Sequence, residues 1–212
     1  MFALPLLFLP SQGRSAVSES LILDPATRKW VPYDSRQAIM YYRSHGRSPK
    51  EFQRQLVSFR TAEKPGTIII DSNKHFLYSV LPDFQAVRYG IGVGRDGFGW
   101  AGIVKVGRLA EWPTWTPPAE MVARDARAAK WAGGMPGGPE NPLGARAIYL
   151  YEGGRDTIYR IHGTNEPWSI GLNVSSGCIR MTNDDVTDLY ARVAVGAKVI
   201  VLNQGAALFR GV

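Results

Sequence analysis

The chain has 212 residues, of which 45% are hydrophobic, so it can form one well-packed domain but not two large ones. Its 23 glycines and 14 prolines favour short strands joined by tight turns over a helical bundle. The net charge of +7 comes from Lys and Arg scattered along the chain without a basic run, which argues against nucleic-acid binding.

The chain has one cysteine, Cys178, which excludes an internal disulfide and a zinc site built on two or four cysteines. The three histidines, His45, His75 and His162, lie far apart and do not form the HExxH spacing of a helical zinc site. We therefore expect neither a metal nor another cofactor.

Residues 2–10 form an apolar run that is too short to cross a bilayer, so we expect no transmembrane span. The run resembles the hydrophobic region of a secretory signal, although no basic residue precedes it and no A-x-A site follows it. We interpret residues 1–16 as a truncated signal sequence, with an isolated apolar arm as the alternative. Residues 17–65 read as a polar N-terminal extension with one or two short helices, at 36–44 and 49–59.

The pattern changes to strands after residue 65. A β-branched run at 67–71, a turn, and a second run at 75–80 predict a hairpin. Further strands are predicted over 86–93, 102–108, 147–151, 157–161 and 198–202.

The segment from Glu111 to Arg146 interrupts the strand pattern with Trp, Pro and Gly and a short helical stretch near 120–130. A loop this long in a compact domain is usually functional or disordered, and its two Trp and several Pro residues favour an ordered excursion that forms a lid or substrate wall. Later, an amphipathic helix begins near Thr182 or Asn183, either of which can cap it. Its apolar face comprises Val186, Leu189, Tyr190 and Val193. Together these elements predict a mainly β domain with minor α content, a sandwich or half-barrel without βαβ units.

Two residues can carry chemistry. His162 ends a predicted strand, and Cys178 lies in a glycine-containing turn before the helix. A nearby imidazolium or helix N-terminus lowers a thiol pKa, and a thiolate–imidazolium pair attacks carbonyl groups readily. The Gly163 carbonyl can hold the second ring nitrogen, and the amides of Gly177 and Cys178 can form an oxyanion hole. A lone cysteine is more often a small buried apolar residue, which is the competing interpretation.

The stretch HGTNEPWSIGLNVSSGCIRM, residues 162–181, resembles the signature of the L,D-transpeptidases of the YkuD or ErfK type. Earlier segments, among them YGIGVG at 89–94 and WPTWTPP at 112–118, fit the same family. The resemblance covers residues 66–203, which it marks as the catalytic domain, with 204–212 as a C-terminal tail. It implies a YkuD-like β-sandwich or half-barrel with one helix after the catalytic cysteine and a long inserted loop.

The chain departs from the family at one position, because Ser176 stands where a histidine usually precedes Gly-Cys. The resemblance implies that Cys178 is the nucleophile and His162 the base, both of which are present. Gly163, Ser176 and Gly177 would then support the site. Ser175, Thr164 and Arg180 are candidate substrate-binding residues, and Arg180 has the alternative of a structural pair with Asp184 or Asp185.

The resemblance implies a peptidoglycan L,D-transpeptidase in the periplasm or cell envelope. Such an enzyme attacks the third-residue carbonyl of a tetrapeptide stem, releases D-alanine and transfers the acyl group to an amine, and carbapenems are expected inhibitors. The same acyl-enzyme would serve an L,D-carboxypeptidase or the attachment of a protein to peptidoglycan. A non-catalytic peptidoglycan-binding domain and a cytosolic redox or nucleic-acid protein are the alternatives from other classes.

Overall fold

The computed structural model describes residues 21–23, 30–32, 34–95 and 99–202. The predicted signal sequence and C-terminal tail lie outside these residues. Within them the chain forms β1 (Leu21–Leu23), β2 (Trp30–Pro32), α1 (Ser35–His45), β3 (Gln55–Ser58), β4 (Ile68–Asp71), β5 (Phe76–Leu81), β6 (Gln85–Gly90), β7 (Val93–Gly94), β8 (Gly102–Glu111), α2 (Ala119–Arg124), α3 (Ala126–Ala129), β9 (Arg146–Glu152), β10 (Arg155–His162), β11 (Asn173–Ser175), β12 (Ile179–Arg180), α4 (Asn183–Arg192) and β13 (Lys198–Leu202). None of the helices in the described ranges has the length and apolar character needed to span a membrane.

Nine strands form one mixed sheet in the order β12-β10-β9-β8-β13-β4-β5-β6-β3. The central strand β13 is antiparallel to β8 and parallel to β4. Strands β1 and β2, and strands β7 and β11, form two small sheets. The predicted mainly β class with minor α content is confirmed. The strand predicted over 86–93 is divided in two, because the chain leaves the large sheet after Gly90 and β7 pairs with β11.

The large sheet curls until its two halves meet. Gly92, just after β6, exchanges two backbone hydrogen bonds with Arg180 of β12, at 2.9 and 2.8 Å. Strands β6 and β12 are seven positions apart in the sheet order, and a flat sheet would separate them by roughly 33 Å. The contact therefore closes the sheet toward a barrel, which matches the half-barrel form of the prediction. We call the Gly92–Arg180 contact the seam.

The sheet has apolar residues on both faces at its centre. Ile68 and Ile70 of β4 pack into the main core, while Ile69 packs in a smaller cluster on the opposite face. A strand buried on both faces is continuously apolar rather than alternating, which accounts for the β-branched runs of β4 and β13. Helix α4 covers the main core with Val186 and Leu189, as its predicted apolar face requires.

The N-terminal segment joins the same sheet. Helix α1 begins after Asp34, whose side chain accepts a hydrogen bond from Gln37 N, and ends at Gly46 in the left-handed conformation. The second helix, predicted over 49–59, is wrong. The chain instead makes one 3-10 turn at Lys50–Phe52 and continues into β3, which pairs with β6 at the sheet edge. Strand pairing outweighs the local helical pattern here.

The same segment supports the loop between the two candidate catalytic residues. Ala38 of α1 and Phe52 form a second buried cluster with Ile170 and Leu172. Ile170 and Leu172 belong to the segment 163–177, which connects the end of β10 to Cys178 and includes β11. We call this segment the loop 163–177. The N-terminal segment from residue 34 onward therefore packs directly beneath the loop that leads to Cys178.

The excursion from 111 to 146 is ordered around a buried amide. Asn141 is fully buried, and its Oδ1 accepts a hydrogen bond from Leu143 N at 2.8 Å. Its Nδ2 lies 3.0 to 3.1 Å from three backbone carbonyls of the excursion, those of Pro113, Met135 and Pro136. The single helix predicted near 120–130 is two short helices, because Asp125 ends α2 and caps α3.

Candidate active site

The candidate base His162 ends β10, and the candidate nucleophile Cys178 comes immediately before β12, the parallel neighbour of β10 at the seam. In the register of β10 and β12, Ile161 is opposite Ile179 and His162 is opposite Arg180. Ile161 and Ile179 are buried in the main core. Because side chains alternate along a strand, His162, Arg180 and Cys178 point to the other side of the sheet. Pairing of the strands, rather than proximity in sequence, sets the end of β10 beside the segment that follows Cys178.

His162 has a buried, neutral imidazole. Its side chain is 5% exposed, and Nδ1 lies 2.5 Å from the Gly163 carbonyl, as the sequence analysis anticipated. That carbonyl can only accept, so Nδ1 carries the proton and Nε2 keeps its lone pair. Burial, aided by the positive charge of Arg180, lowers the pKa of His162 to about 4 despite the opposing Gly163 hydrogen bond.

Cys178 is half-buried, and its thiol donates to the Ile158 carbonyl at 4.0 Å. Burial raises the pKa of the thiol, against the opposing effects of the Arg160 backbone amide and the Arg160 and Arg180 charges. The expected lowering of this pKa is therefore wrong. Strand β12 separates the thiol from α4, and within the described chain no hydrogen bond links Cys178 to His162. The resting pair is a neutral thiol and a neutral imidazole.

The turn before the nucleophile is organised by Ser175. Its Oγ donates to the Cys178 carbonyl at 2.6 Å and accepts from Gly177 N at 3.1 Å. The Gly177 amide, one of the two expected oxyanion donors, is thus already engaged. The Cys178 amide has no acceptor among the described residues. Ser176 is exposed, and its hydroxyl likewise has no hydrogen-bond partner in this part of the chain.

Arg180 is held by an acidic partner that the sequence did not indicate. Its Nη1 donates to Glu166 Oε2 at 2.7 Å, so it pairs with neither Asp184 nor Asp185. The Glu166 backbone amide donates to Thr164 Oγ1 at 3.0 Å. Thr164 is buried, so it fixes the loop that carries the partner of Arg180 and cannot be reached by a substrate without a rearrangement.

The family model of the L,D-transpeptidase catalytic domain matches residues 65–201. The chain belongs to the L,D-transpeptidase family. It is 39% identical over 143 residues to the probable L,D-transpeptidase ErfK/SrfK of Escherichia coli (strain K12), which covers 65% of this chain and 44% of that protein. It is 32% identical over 203 residues to the Salmonella typhimurium protein of the same name, covering 93% and 52% of the two chains. The chain thus spans about half the length of these curated relatives.

A solved structure from Brucella melitensis, described as a probable carnitine operon oxidoreductase caia, is 47% identical. It covers 80% of this chain and 100% of that one, with a TM-score of 0.52.

In this L,D-transpeptidase family member, Asn183 was expected only as a possible helix cap, and its contacts with the loop after His162 were missed. Asn183 Oδ1 accepts hydrogen bonds from Ala145 N at 3.0 Å and Thr164 N at 3.2 Å. A Cβ at Gly144 or Gly163 would lie 2.2 Å from that oxygen, so a larger residue at either position would displace the Asn183 amide. We call this contact the Asn183 clamp. The sequence did offer one signal: Thr182 alone suffices to cap α4, which leaves the Asn183 side chain free for another contact.

The site contains no evident metal position. Within the described residues, no group of three or more His, Cys, Asp or Glu side chains is arranged to hold a metal ion.

Proposed function

We propose that the protein is an active cysteine acyltransferase that acts on peptidoglycan stem peptides, with Cys178 as the nucleophile and His162 as the base. The observation that carries the proposal is the register of β10 and β12, which turns both side chains to the same side of the sheet. An imidazole whose Nδ1 is fixed by a carbonyl presents Nε2 as the proton acceptor, which is the arrangement that general-base catalysis needs.

The donor half-reaction transfers one proton twice. As Cys178 Sγ attacks the third-residue carbonyl of a tetrapeptide stem, the thiol proton moves to His162 Nε2. Collapse of the tetrahedral intermediate breaks the C–N bond, and the imidazolium returns the proton to the departing D-alanine amine. The acceptor amine then attacks the thioester and gives its proton to Nε2. The C–S bond breaks, and the departing Sγ takes that proton back from the imidazolium, which restores the neutral pair. Because burial raises the thiol pKa and lowers the imidazole pKa, proton transfer accompanies attack instead of preceding it.

The Cys178 backbone amide is our candidate oxyanion donor. It has no acceptor among the described residues, whereas Ser175 already occupies the Gly177 amide. A preorganised N–H aimed at the developing negative charge stabilises the transition state without reorganisation. Ser176 is exposed beside it and can add a hydroxyl donor, although it cannot supply the charge of the histidine usual in the family.

Arg180 is our candidate for binding the carboxylate of the third stem residue. Its guanidinium is part-exposed and already holds a carboxylate, that of Glu166, which is itself about half exposed. A substrate carboxylate can replace Glu166 with the same planar geometry. Ser175 and Thr164 then act by fixing the loops on either side of this pair.

We further propose that the 111–146 excursion forms a wall of the substrate site. Asn165 Nδ2 donates to the Glu140 carbonyl at 2.8 Å, which ties the excursion to the loop immediately after His162. A thioester that meets water is hydrolysed, so a wall that excludes water favours transfer to an amine. Loosening this contact would shift the products toward L,D-carboxypeptidase activity.

Two other reactions of the acyl-enzyme and one non-catalytic function are the alternatives to cross-linking. The acyl-enzyme can serve hydrolysis, or the attachment of a protein to peptidoglycan, in place of cross-linking. A peptidoglycan-binding domain without catalysis is the second candidate function, and the Ser176 replacement is the observation that favours it. All of these place the protein in the cell envelope, which family membership supports.

The deciding experiment is mass spectrometry of the intact protein after incubation with a carbapenem. We expect one covalent adduct on Cys178 in the wild type, none in Cys178→Ala and slow formation in His162→Ala. Incubation with purified muropeptides would then distinguish cross-linked, hydrolysed and exchanged products. The absence of any adduct at high dose, or wild-type turnover in Cys178→Ala, would exclude the proposed mechanism.

A further inference from the structure

Strand β10 contains a large irregular bulge near the candidate nucleophile. Asp156 pairs with Tyr151 and Arg160 pairs with Tyr149, so three residues of β10 face one residue of β9. Ile158, at the centre of the bulge, has a φ of +63° and is 76% exposed. A β-branched residue rarely adopts this conformation, and bulges near functional sites often redirect a chemical group. The bulge therefore calls for an explanation beyond sheet packing.

Asp156 holds the bulge in shape with both carboxylate oxygens. Oδ1 accepts from Ile158 N at 2.8 Å, and the two oxygens accept from Arg160 Nη1 and Nη2 at 2.7 and 2.8 Å. Thr157 Oγ1 adds a donated hydrogen bond to a β9 carbonyl at 2.7 Å. The Asp156 side chain thus fixes the Ile158 amide, and Thr157 ties the bulge to β9.

The bulge contacts the turn of the nucleophile at two points. The Cys178 thiol donates to the Ile158 carbonyl at 4.0 Å. Tyr159 stacks on Trp100 with ring centroids 4.6 Å apart, and Trp100 Nε1 donates to the Gly177 carbonyl at 3.4 Å. The fixed backbone therefore faces the sulfur, while the stacked rings hold the residue before it.

We propose that Asp156 and Arg160 are positioning residues, which hold the Ile158 carbonyl against the Cys178 thiol and so set the resting orientation of the nucleophile. This inference rests on the proposed role of Cys178. While the thiol donates to that carbonyl, its proton stays on sulfur. On activation the S–H bond breaks and the proton moves to the imidazole of the base, with no change in oxidation state.

The charges that face the thiol are balanced in pairs. Arg160 is paired with Asp156, and Arg180 is paired with Glu166. Burial raises the pKa of the Cys178 thiol, and the charges of the two paired guanidinium groups offset this rise only in part. Removing the Asp156 carboxylate would both release the bulge and leave a positive charge facing sulfur.

The test compares thiol reactivity with acyl transfer in Asp156→Ala. Cys178 is the only cysteine, so iodoacetamide alkylation reports on it alone. We expect alkylation near neutral pH to be about fivefold faster than in the wild type, because the thiol form loses one stabilising hydrogen bond. We expect kcat for acyl transfer to fall about tenfold with KM unchanged, because the sulfur is no longer held in place. A purely structural bulge would lower the melting temperature without moving these two rates in opposite directions.

Two further variants make the test decisive. Asp156→Asn keeps an oxygen for Ile158 N and should retain kcat within about twofold, while losing the charge balance and so alkylating faster. Glu63→Ala removes a comparable two-oxygen pair with Lys198, far along the sheet, and should change neither rate.

Equal alkylation of the wild type and both Asp156 variants would overturn the inference. Equal loss of kcat in Asp156→Asn and Asp156→Ala would also do so, since charge rather than bulge geometry would then be responsible. Alkylation needs no stem peptide. Absence of acyl transfer in the wild type would therefore refute the proposed function while leaving the alkylation test intact.

Discussion

His162 and Arg180 stand opposite each other on the parallel strands β10 and β12, so a buried imidazole faces a guanidinium across one strand spacing. The cation disfavours a second positive charge and adds to the effect of burial on the His162 pKa. Arg180 is in turn held by Glu166, at 2.7 Å. Burial and, after it, the Arg180 charge therefore keep the candidate base neutral, and Arg180 is also the candidate binder of substrate carboxylate.

The pH dependence of acyl transfer should follow from this pairing. Because the base works in its neutral form and its pKa is about 4, kcat/KM should be constant from about pH 5 to pH 8 and fall only near pH 4. Arg180→Gln removes the facing cation, so the acid limb of the profile should move to higher pH. Arg192→Gln, which loses a pair with Asp188 on α4, is the control. An acid limb near pH 6.5 in the wild type would contradict a buried neutral base.

Folding stability should also depend on His162 between pH 7 and pH 4. The unfolded histidine binds its proton near 6.5 and the folded one near 4, so the unfolded state gains protons first as pH falls. The free energy of unfolding should drop by about 3 kcal/mol over this range from this group. Urea unfolding of the wild type and His162→Gln at several pH values would isolate the effect, because all other groups titrate in both. If the free energy of unfolding changed equally with pH in the two proteins, His162 would make no contribution to the pH dependence of stability.

The Asn183 clamp should contribute to stability and to the placement of the base. Asn183→Ala leaves the Ala145 and Thr164 amides without their acceptor, at a cost of about 2–4 kcal/mol. Asn183→Asp keeps the oxygen and should retain most of this. The measurements are urea unfolding and the rate of carbapenem acylation. If Asn183→Ala were as stable as the wild type, the clamp would have no structural role.

The N-terminal segment should be required for a stable active-site loop. Phe52 is 4% exposed and packs with Ile170 and Leu172, so Phe52→Ala should cost about 3–5 kcal/mol and loosen the loop 163–177. Leu56→Ala, on the neighbouring edge strand and 63% exposed, should change stability by less than about 0.5 kcal/mol. Hydrogen exchange of the loop amides would show the loosening directly. Equal exchange rates of the loop amides in the two variants would show that the packing of Phe52 does not stabilise the loop.

Local features of the chain could be read without the structure. The β4–β5 hairpin follows from β-branched runs around a short turn, and α4 follows from its cap and its apolar period. The Nδ1 partner of His162 is the next residue in the chain, so it too was predictable. The boundary between a separate N-terminal extension and the catalytic domain stays a prediction, although β3 lies in the large sheet.

Contacts between distant segments could not be read in this way. Residues 55–58 carry a pattern that suits a helix, and only pairing with β6 makes them a strand. The Asn183 clamp joins residues 38 and 19 positions away, and the Glu166 partner of Arg180 lies 14 positions before it. None of these separations has a periodic signature that a single sequence displays.

The sequence by itself determined membership of the L,D-transpeptidase family and predicted Cys178 and His162 as its reactive pair, because the motif that carries both residues is local and specific. Only the tertiary structure decided their protonation. Burial at the seam keeps the imidazole neutral and the proton on sulfur, which reverses the direction expected for a thiol near a helix. The pKa of a group depends on solvent exclusion and on charges brought close by folding, and these are properties of the closed sheet rather than of the order of residues.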